Sequence, residues 1–302
     1  MLDIYFLSGK INSLEKKFID YEKCNKLIES KTIEEFINLL EGTFFKFPTS
    51  SPKIEEIFKF FENERVKLIE EIIKTFEGEI QSFFILKYDY YNLGILLENK
   101  KNYSFYGSVN FYILKEAFEN NNFSKIPEIL KDTIVKIKRK GEDKEKLLIL
   151  KNDYYEKMYE ISKKISNFIN GYVKIEIDFA NLNTYLNFKL FEGKVEMAKF
   201  IRNGKIKIEN FLDEKKLKKS FFSEYGKELV LSEEELEIER YKVISYYLKE
   251  GRIKPDGIDK IVSFYLAREI EIESLQRLTI SKFYGKEEDF LRRIIVPVYQ
   301  YR

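Results

Sequence analysis

Histidine is absent from the 302-residue sequence, and cysteine occurs once, as Cys24. Histidine is the commonest general base and the commonest ligand of transition metals. Its absence excludes Ser-His-Asp and Cys-His catalysis, zinc sites and haem ligation by histidine within this chain. A single cysteine excludes an internal disulfide framework. The remaining chemistry would have to use carboxylates, lysine or tyrosine, and no sequence pattern demands it. We therefore predict no catalytic residue, metal or cofactor.

Two kinds of segment are also lacking, a phosphate-binding loop and a long apolar run. A Walker loop needs a glycine five residues before its Gly-Lys pair. None of the Gly-Lys pairs has one; they begin at Gly9, Gly193, Gly204, Gly226 and Gly285. The longest apolar runs are far shorter than the ~20 residues needed to cross a bilayer, and residues 1–7 lack the basic region of a signal peptide. The sequence predicts a soluble, intracellular protein.

Basic and acidic residues are nearly equal in number. The chain has 53 basic and 51 acidic residues, which gives a net charge of +2. A protein that coats nucleic acid usually has a clearer excess of basic residues on one face. Apolar residues make up 44% and aromatic residues 16% of the chain, too many for a disordered protein. These values favour a folded protein and argue against one that coats nucleic acid.

Helix signals dominate the sequence. Only 5 prolines and 13 glycines interrupt a chain rich in lysine, glutamate, leucine and isoleucine, which favours long helices. Residues 32–35 and 232–235 each place a hydroxyl three residues before a glutamate, as in a capping box. Apolar residues at helical spacing from Ile258 predict a last long helix through about Phe283. Residues 172–178 alternate like a strand, but we predict helix there because the related segments described next are helical.

A short pattern occurs three times. It reads DYYNL at residues 89–93, DFANL at 178–182 and EIESL at 271–275, and the copies begin 89 and 93 residues apart. Near-even spacing of a repeated pattern indicates one structural unit used three times. A lysine follows the acid of each copy by eleven residues, which is almost three helical turns. The repeat predicts three helical units, at residues 1–104, 105–200 and 201–302.

Each copy, placed on a helix, has an apolar stripe beside a polar stripe. The positions of the apolar stripe are Tyr90, Leu93 and Leu97 in the first copy, Phe179, Leu182 and Leu186 in the second, and Ile272, Leu275 and Thr279 in the third, and all but Thr279 are apolar. The polar positions are Asp89, Asn92 and Lys100, then Asp178, Asn181 and Lys189, then Glu271, Ser274 and Lys282. We interpret the apolar positions as core and the polar ones as groups that fix how the units pack. The alternative is that the polar stripes line a shared surface that binds a partner.

Glu269 interrupts the apolar face of the last helix, between Tyr265 and Ile272. A buried carboxylate must find polar partners or take up a proton. Arg268 is adjacent in sequence but points in another direction on a helix. We therefore expect Glu269 to be buried and to pair with an arginine or lysine of another helix.

With these residues in view, the chain resembles the C subunits of the archaeal and bacterial V-type (A-type) rotary ATPases, the counterparts of the d subunits of eukaryotic vacuolar enzymes. The most specific segment is residues 264–277, FYLAREIEIESLQR, followed by Lys282 and Gly285. It is similar to the C-terminal signature of that family, an acidic helix before a lysine and a glycine. The segment from Asp178 to Lys189 is similar to the middle signature of the family.

The resemblance implies an all-α protein of three similar helical domains in a pseudo-threefold, funnel-shaped arrangement. It also implies a protein without an active site or cofactor that joins the central-stalk shaft to the membrane rotor ring. Such a protein lies on the cytoplasmic side of the membrane, without a membrane span, and transmits the torque that couples ATP hydrolysis or synthesis to ion transport.

Other classes of function remain open on the residues alone. A helical-repeat scaffold for different protein partners would show the same repeat. A nucleic-acid adaptor would need an affinity that falls steeply with salt. An enzyme that uses carboxylates such as Glu269 ranks last, because no histidine or obvious nucleophile accompanies them.

Overall fold

The computed structural model describes residues 4–100, 106–139, 141, 143–193 and 195–299. Within these ranges the regular structure is helical and no strand occurs, so the predicted all-α class is confirmed. Among these residues the α-helices are α1 (Ile4–Leu14), α2 (Tyr21–Glu29), α3 (Ile33–Leu39), α4 (Ile54–Thr75), α5 (Gly78–Leu97), α6 (Phe111–Asn120), α7 (Glu128–Lys138), α8 (Asp143–Ile165), α9 (Asn167–Asn187), α10 (Glu214–Tyr225), α11 (Glu233–Arg252), α12 (Ile258–Phe283) and α13 (Glu288–Ile294). Short 3-10 segments occur at Glu15–Lys17, Met197–Lys199 and Ile208–Leu212, and a π-helical turn, Phe188–Glu192, extends α9.

The helix boundaries follow the sequence signals. Thr32 Oγ1 accepts a hydrogen bond from the Glu35 amide at 3.1 Å, and Ser232 Oγ accepts one from the Glu235 amide at 3.3 Å. Both predicted caps are thus formed, and each satisfies an amide that has no partner within the first helical turn. The last long helix ends at Phe283, as predicted.

Residues 172–178, whose alternation resembles a strand, lie in the middle of α9. The helical prediction for them is confirmed. Buried residues occur on most sides of α9, among them Val173, Ile175, Ile177 and Phe179. A helix that is enclosed by neighbours needs apolar residues at more positions than one stripe, and this enclosure makes the local pattern look like that of a strand.

The chain forms two compact units, which we call the middle unit and the terminal unit. The middle unit is Phe76–Leu229, in which α8 packs along both α5 and α9. The terminal unit combines Met1–Thr75 with Val230–Arg302, and α12 packs there against α1, α4, α11 and α13. The first two copies of the repeat lie in the middle unit and the third lies in the terminal unit. The organisation into three repeat units, with a pseudo-threefold arrangement, stays a prediction.

No helix in the described ranges combines the length and the apolar composition that a membrane crossing requires.

Candidate functional site

The three acids of the repeat are buried in the centres of their helices. Asp89 in α5 and Asp178 in α9 are 0% exposed, and Glu271 in α12 is 4% exposed. The polar residues one turn further along, Asn92, Asn181 and Ser274, are also buried. Buried polar groups are costly unless they are hydrogen-bonded. The contacts of these side chains therefore show what the repeated pattern does in the fold.

The second copy holds a segment of non-helical backbone. Asp178 accepts hydrogen bonds from the amides of Lys205 and Ile206, at 3.1 Å each, and from the Tyr225 hydroxyl at 2.5 Å. Asn181 and Ile201 exchange two hydrogen bonds of 2.8 Å, with the Asn181 amide group donating to the Ile201 carbonyl and accepting from the Ile201 amide. The acid and the asparagine together fix residues 201–206 against α9. We call such an acid with the backbone amide that it holds a clamp.

The first copy forms a clamp of the same kind. The Val109 amide donates to Asp89 Oδ1 at 3.3 Å, and Ser108 also hydrogen-bonds to this carboxylate. The held segment leads directly into α6, whose N-cap residue is Asn110.

The third copy forms its clamp with a segment from the other end of the chain. Glu271 Oε1 accepts from the Ile19 amide at 2.7 Å, and Glu271 Oε2 forms a 2.7 Å ion pair with Arg268. Ser274 Oγ accepts from the Val296 amide at 2.8 Å. The acid and the serine therefore hold two segments that are far apart in sequence.

Glycines allow the two aspartates to approach the backbone closely. A Cβ atom on Gly204 would lie 2.1 Å from Asp178 Oδ1, and one on Gly107 would lie 2.3 Å from Asp89 Oδ1. Both distances are far below a van der Waals contact, so only glycine fits without displacement. Glutamate is one methylene longer than aspartate, and the residue two positions before the Ile19 amide that Glu271 holds is Lys17. The shorter aspartate thus requires a glycine in the segment that it holds, whereas the longer glutamate reaches its segment without one.

Burial changes the protonation of these acids. It raises the pKa of Asp178 to about 7, against the opposing hydrogen bonds of Tyr225, Ile206 and Lys205. It raises the pKa of Asp89 to about 6, against the hydrogen bonds of Ser108 and Val109. Burial also raises the pKa of Glu271, and the positive charge of Arg268 opposes this shift. The cause in all three is the loss of hydration of the charged form.

The three repeat lysines do not share one environment. Lys100 is exposed and pairs with Glu98 at 2.7 Å. Lys189 pairs with Glu214, the first residue of α10, at 2.6 Å. Lys282 is half-buried and donates to the carbonyl of Ile28 in α2, and burial lowers its pKa.

The expectation for Glu269 needs a correction. Glu269 is only partly buried, and the buried acid of α12 is Glu271. Arg268 does point away from Glu269, since its guanidinium pairs with Glu271 and stacks 3.5 Å from the centre of the Phe44 ring. The side of α12 that carries Arg268 and Glu271 is covered by residues 18–45. The spacing of residues within α12 does not indicate which other segment of the chain packs on that side of the helix.

A further buried acid, Asp153 in α8, was not singled out from the sequence. It is 3% exposed and accepts hydrogen bonds from Tyr90, Thr133 and Lys136 at 2.6, 2.5 and 2.6 Å. Burial opposes its ionisation, but these donors together with Lys157 hold the pKa of Asp153 below its usual range. The signals in the sequence were the Asp153–Lys157 spacing of one helical turn and the hydroxyl that Tyr90 brings into an apolar stripe.

The apolar stripes are core, as predicted, except that Leu97 is half-buried. Among the described residues, acidic and cysteine side chains form no group of three that could hold a metal ion. The clamp carboxylates instead accept hydrogen bonds from backbone amides and from one side chain each, Ser108, Tyr225 and Arg268. Within this structure, the acids of the three copies, together with Asn181 and Ser274, fix non-helical segments onto three helices.

Comparison with known proteins agrees with the sequence signatures. A family model described as "ATP synthase (C/AC39) subunit" matches residues 7–294. The C subunit of the A-type ATP synthase of Thermococcus kodakarensis is 23% identical over 341 aligned positions, which cover 96% of this chain and 90% of the relative.

Proposed function

Because the chain belongs to the ATP synthase (C/AC39) subunit family, we propose that it is a non-catalytic central-stalk component of a V-type or A-type rotary ATPase. In this role it links the central rotor shaft to the membrane rotor ring. It transmits the torque that couples ATP hydrolysis or synthesis to the transport of protons or sodium ions.

The observation that carries this proposal is the family match over nearly the whole chain, from residue 7 to residue 294. The relative that aligns over 96% of this chain is named as the C subunit of an A-type ATP synthase. A match over this length includes all three copies of the clamp, so the proposal concerns the chain as a whole rather than one motif.

The packing supports a mechanical role. A part that transmits torque must resist deformation, and a close-packed interior transmits strain instead of absorbing it. The segments between the helices are held to the helices by buried hydrogen bonds to the carboxyl groups of Asp89, Asp178 and Glu271. Loss of such a bond is costly, because it leaves a buried group without a partner.

The partners in this proposal are the shaft proteins and the rotor ring of the same complex. We place the protein on the cytoplasmic side of the membrane, attached through these protein contacts.

The test is to compare membranes from a strain that lacks this chain with membranes from the same strain after the gene is restored. Without the chain, we expect ATP hydrolysis to persist while hydrolysis-driven ion transport is lost. A Gly9→Ala variant is a suitable control for restoration, because a Cβ atom there meets no neighbour within 4 Å. Unchanged coupling in the deletion strain would contradict the proposal.

Two binding and activity measurements separate the other classes of function. Binding of the purified chain to isolated shaft and ring proteins is expected for the rotor role but not for a scaffold with other partners. The purified chain should have no ATPase activity of its own. Turnover that stays constant per milligram through successive purification steps would contradict a non-catalytic role.

A further inference from the structure

The three clamps share the same order of residues around the held amide. In each, a buried β-branched residue donates its amide to the acid, one residue follows, and a helical segment begins at the next position. The donors are Val109, Ile206 and Ile19, and the helical segments begin at Phe111, Ile208 and Tyr21. The register between the held amide and the following helical segment is therefore identical in all three.

The third clamp differs in where its donor comes from. Val109 and Ile206 follow their acids by 20 and 28 residues, whereas Ile19 precedes Glu271 by 252 residues. The contact made by the residue three positions after the acid has its partner later in the chain in both the second and the third copy. Val296 follows Ser274 by 22 residues, and Ile201 follows Asn181 by 20 residues. The segment that covers the third copy is thus divided between the two ends of the chain.

In the second and third copies, the repeat lysine contacts the first α-helix after the held amide; in the second copy the 3-10 segment Ile208–Leu212 precedes that helix. In the second copy, the lysine eleven residues after the acid reaches α10 through Glu214. In the third copy, the corresponding lysine, Lys282, reaches α2 through the Ile28 carbonyl. Arg292 of α13 adds contacts to Asn25 at 3.0 Å and Glu29 at 3.3 Å, so α2 is tied to two helices from the other end of the chain.

We propose that residues 18–29 are the displaced second part of the third repeat and act as a strap that closes the chain on itself. The strap fills the place that the segment from Lys205 to α10 fills in the second copy. The third repeat is then residues 230–302 completed by residues 18–29, because residues 201–225 belong to the second copy, and the repeat has a circular order. This inference concerns the isolated chain and does not depend on the proposed rotor function.

An aromatic cluster anchors the start of the strap. The Phe18 ring makes edge-on contacts with Phe264 of α12 at 5.6 Å, with Tyr299 at 5.4 Å and with Phe44 at 5.5 Å, measured between ring centres. The position two residues before the held amide is glycine in the first two copies and Lys17, directly before the strap, in the third. The longer side chain of Glu271 makes the close approach of a glycine unnecessary.

The first test is hydrogen–deuterium exchange on the full-length chain and two matched variants, Glu271→Gln and Asp178→Asn. Each variant keeps the size of the acid and removes its charge. Above about pH 8 both acids are ionised. A charge-assisted hydrogen bond is about twice as strong as a neutral one, so at that pH we expect exchange at the held amide to rise at least about tenfold. In Glu271→Gln the rise should fall on residues 18–29, and in Asp178→Asn on residues 201–210. Unprotected residues 18–29 in the unaltered chain, or residues 18–29 unaffected by Glu271→Gln, would overturn the proposal.

The second test is a circular permutant that contains every residue. Residue 302 is joined to residue 1 by a Gly/Ser linker of about 15 residues, which spans about 20 Å on average, and the chain is opened between Ser30 and Lys31. The strap then follows α13 in the chain, as its counterparts follow their clamp helices. We expect cooperative unfolding with a Tm within about 5 °C of the original and unchanged protection of residues 18–29. A permutant that does not fold, or that folds with the strap unprotected, would show that the strap is not a repeat segment.

Discussion

Gly204 lies against Asp178 so closely that a Cβ atom on the glycine would be 2.1 Å from Asp178 Oδ1. The close approach lets the amides of Lys205 and Ile206 reach the carboxylate. Any larger residue at position 204 must push the held segment away from α9 or turn the aspartate out of its place. Gly204 and Asp178 therefore depend on each other for their positions in the fold, although 26 residues separate them in the sequence.

Replacing this glycine should destabilise the protein strongly. Gly204→Ala would weaken hydrogen bonds to a buried carboxylate and strain the packing, and we expect it to lower the free energy of unfolding by about 2–4 kcal/mol. Gly9→Ala is the matched control, because position 9 lies in helix α1 and a Cβ atom there meets nothing within 4 Å. The control should be neutral or should stabilise by about 0.5–1 kcal/mol. Urea unfolding measures both, and equal effects of the two substitutions would refute the role of Gly204.

The stability of the protein should depend on pH through Asp178. Burial raises the pKa of this acid to about 7, above its value in the unfolded chain. Between about pH 4 and pH 7 the folded state therefore holds a proton that the unfolded state has released. The free energy of unfolding then falls as the pH rises through this window and levels off above it.

Asp178→Asn should remove this contribution. We expect the difference in unfolding free energy between pH 4.5 and pH 7.5 to become smaller by about 1–3 kcal/mol in the variant. Asp132→Asn, which changes an exposed acid of α7, is the control and should keep the original pH dependence. Parallel curves for Asp178→Asn and the unaltered chain would contradict the prediction.

Two adjacent tyrosines should differ in their contribution to stability. The Tyr90 hydroxyl donates to Asp153 at 2.6 Å and lies 2.9 Å from Thr133, whereas Tyr91 is 51% exposed. Tyr90→Phe leaves a buried carboxylate with one donor fewer, and we expect a loss of about 1.5–3 kcal/mol. Tyr91→Phe should change the unfolding free energy by less than about 0.5 kcal/mol. Thermal unfolding measures both variants, and an equal change of Tm in the two would contradict the prediction.

Arg268 and Glu271 should be energetically coupled. Both side chains are buried and their ion pair is 2.7 Å long, so Arg268→Met leaves a buried carboxylate without its cation and should cost about 3–5 kcal/mol. Glu271→Gln in the same chain removes that unpaired charge but keeps an acceptor for the Ile19 amide. The double variant should therefore lose at least about 1.5 kcal/mol less than the sum of the two single losses. Additive losses in a double-mutant cycle would show that the pair is not coupled.

Local signals in the sequence were enough to predict the helices. The caps at Thr32 and Ser232, the long helix that ends at Phe283 and the buried stripes of the three copies are confirmed. These features depend on residues three to eleven positions apart, which is the range over which helical periodicity acts. The wrong expectation, burial of Glu269, depended on which segment covers α12. Spacing within one helix does not carry that information.

By itself, the sequence determined the helical class of this protein, the faces that its helices bury and its membership of the family. Tertiary structure alone decided what the buried acids hold. Asp89 and Asp178 hold segments that follow them in the chain, and Glu271 holds Ile19 from 252 residues away. A repeated acid on a buried face requires a partner, because an unsatisfied carboxylate in the interior is costly. The identity of that partner depends on which distant backbone reaches it in the folded chain.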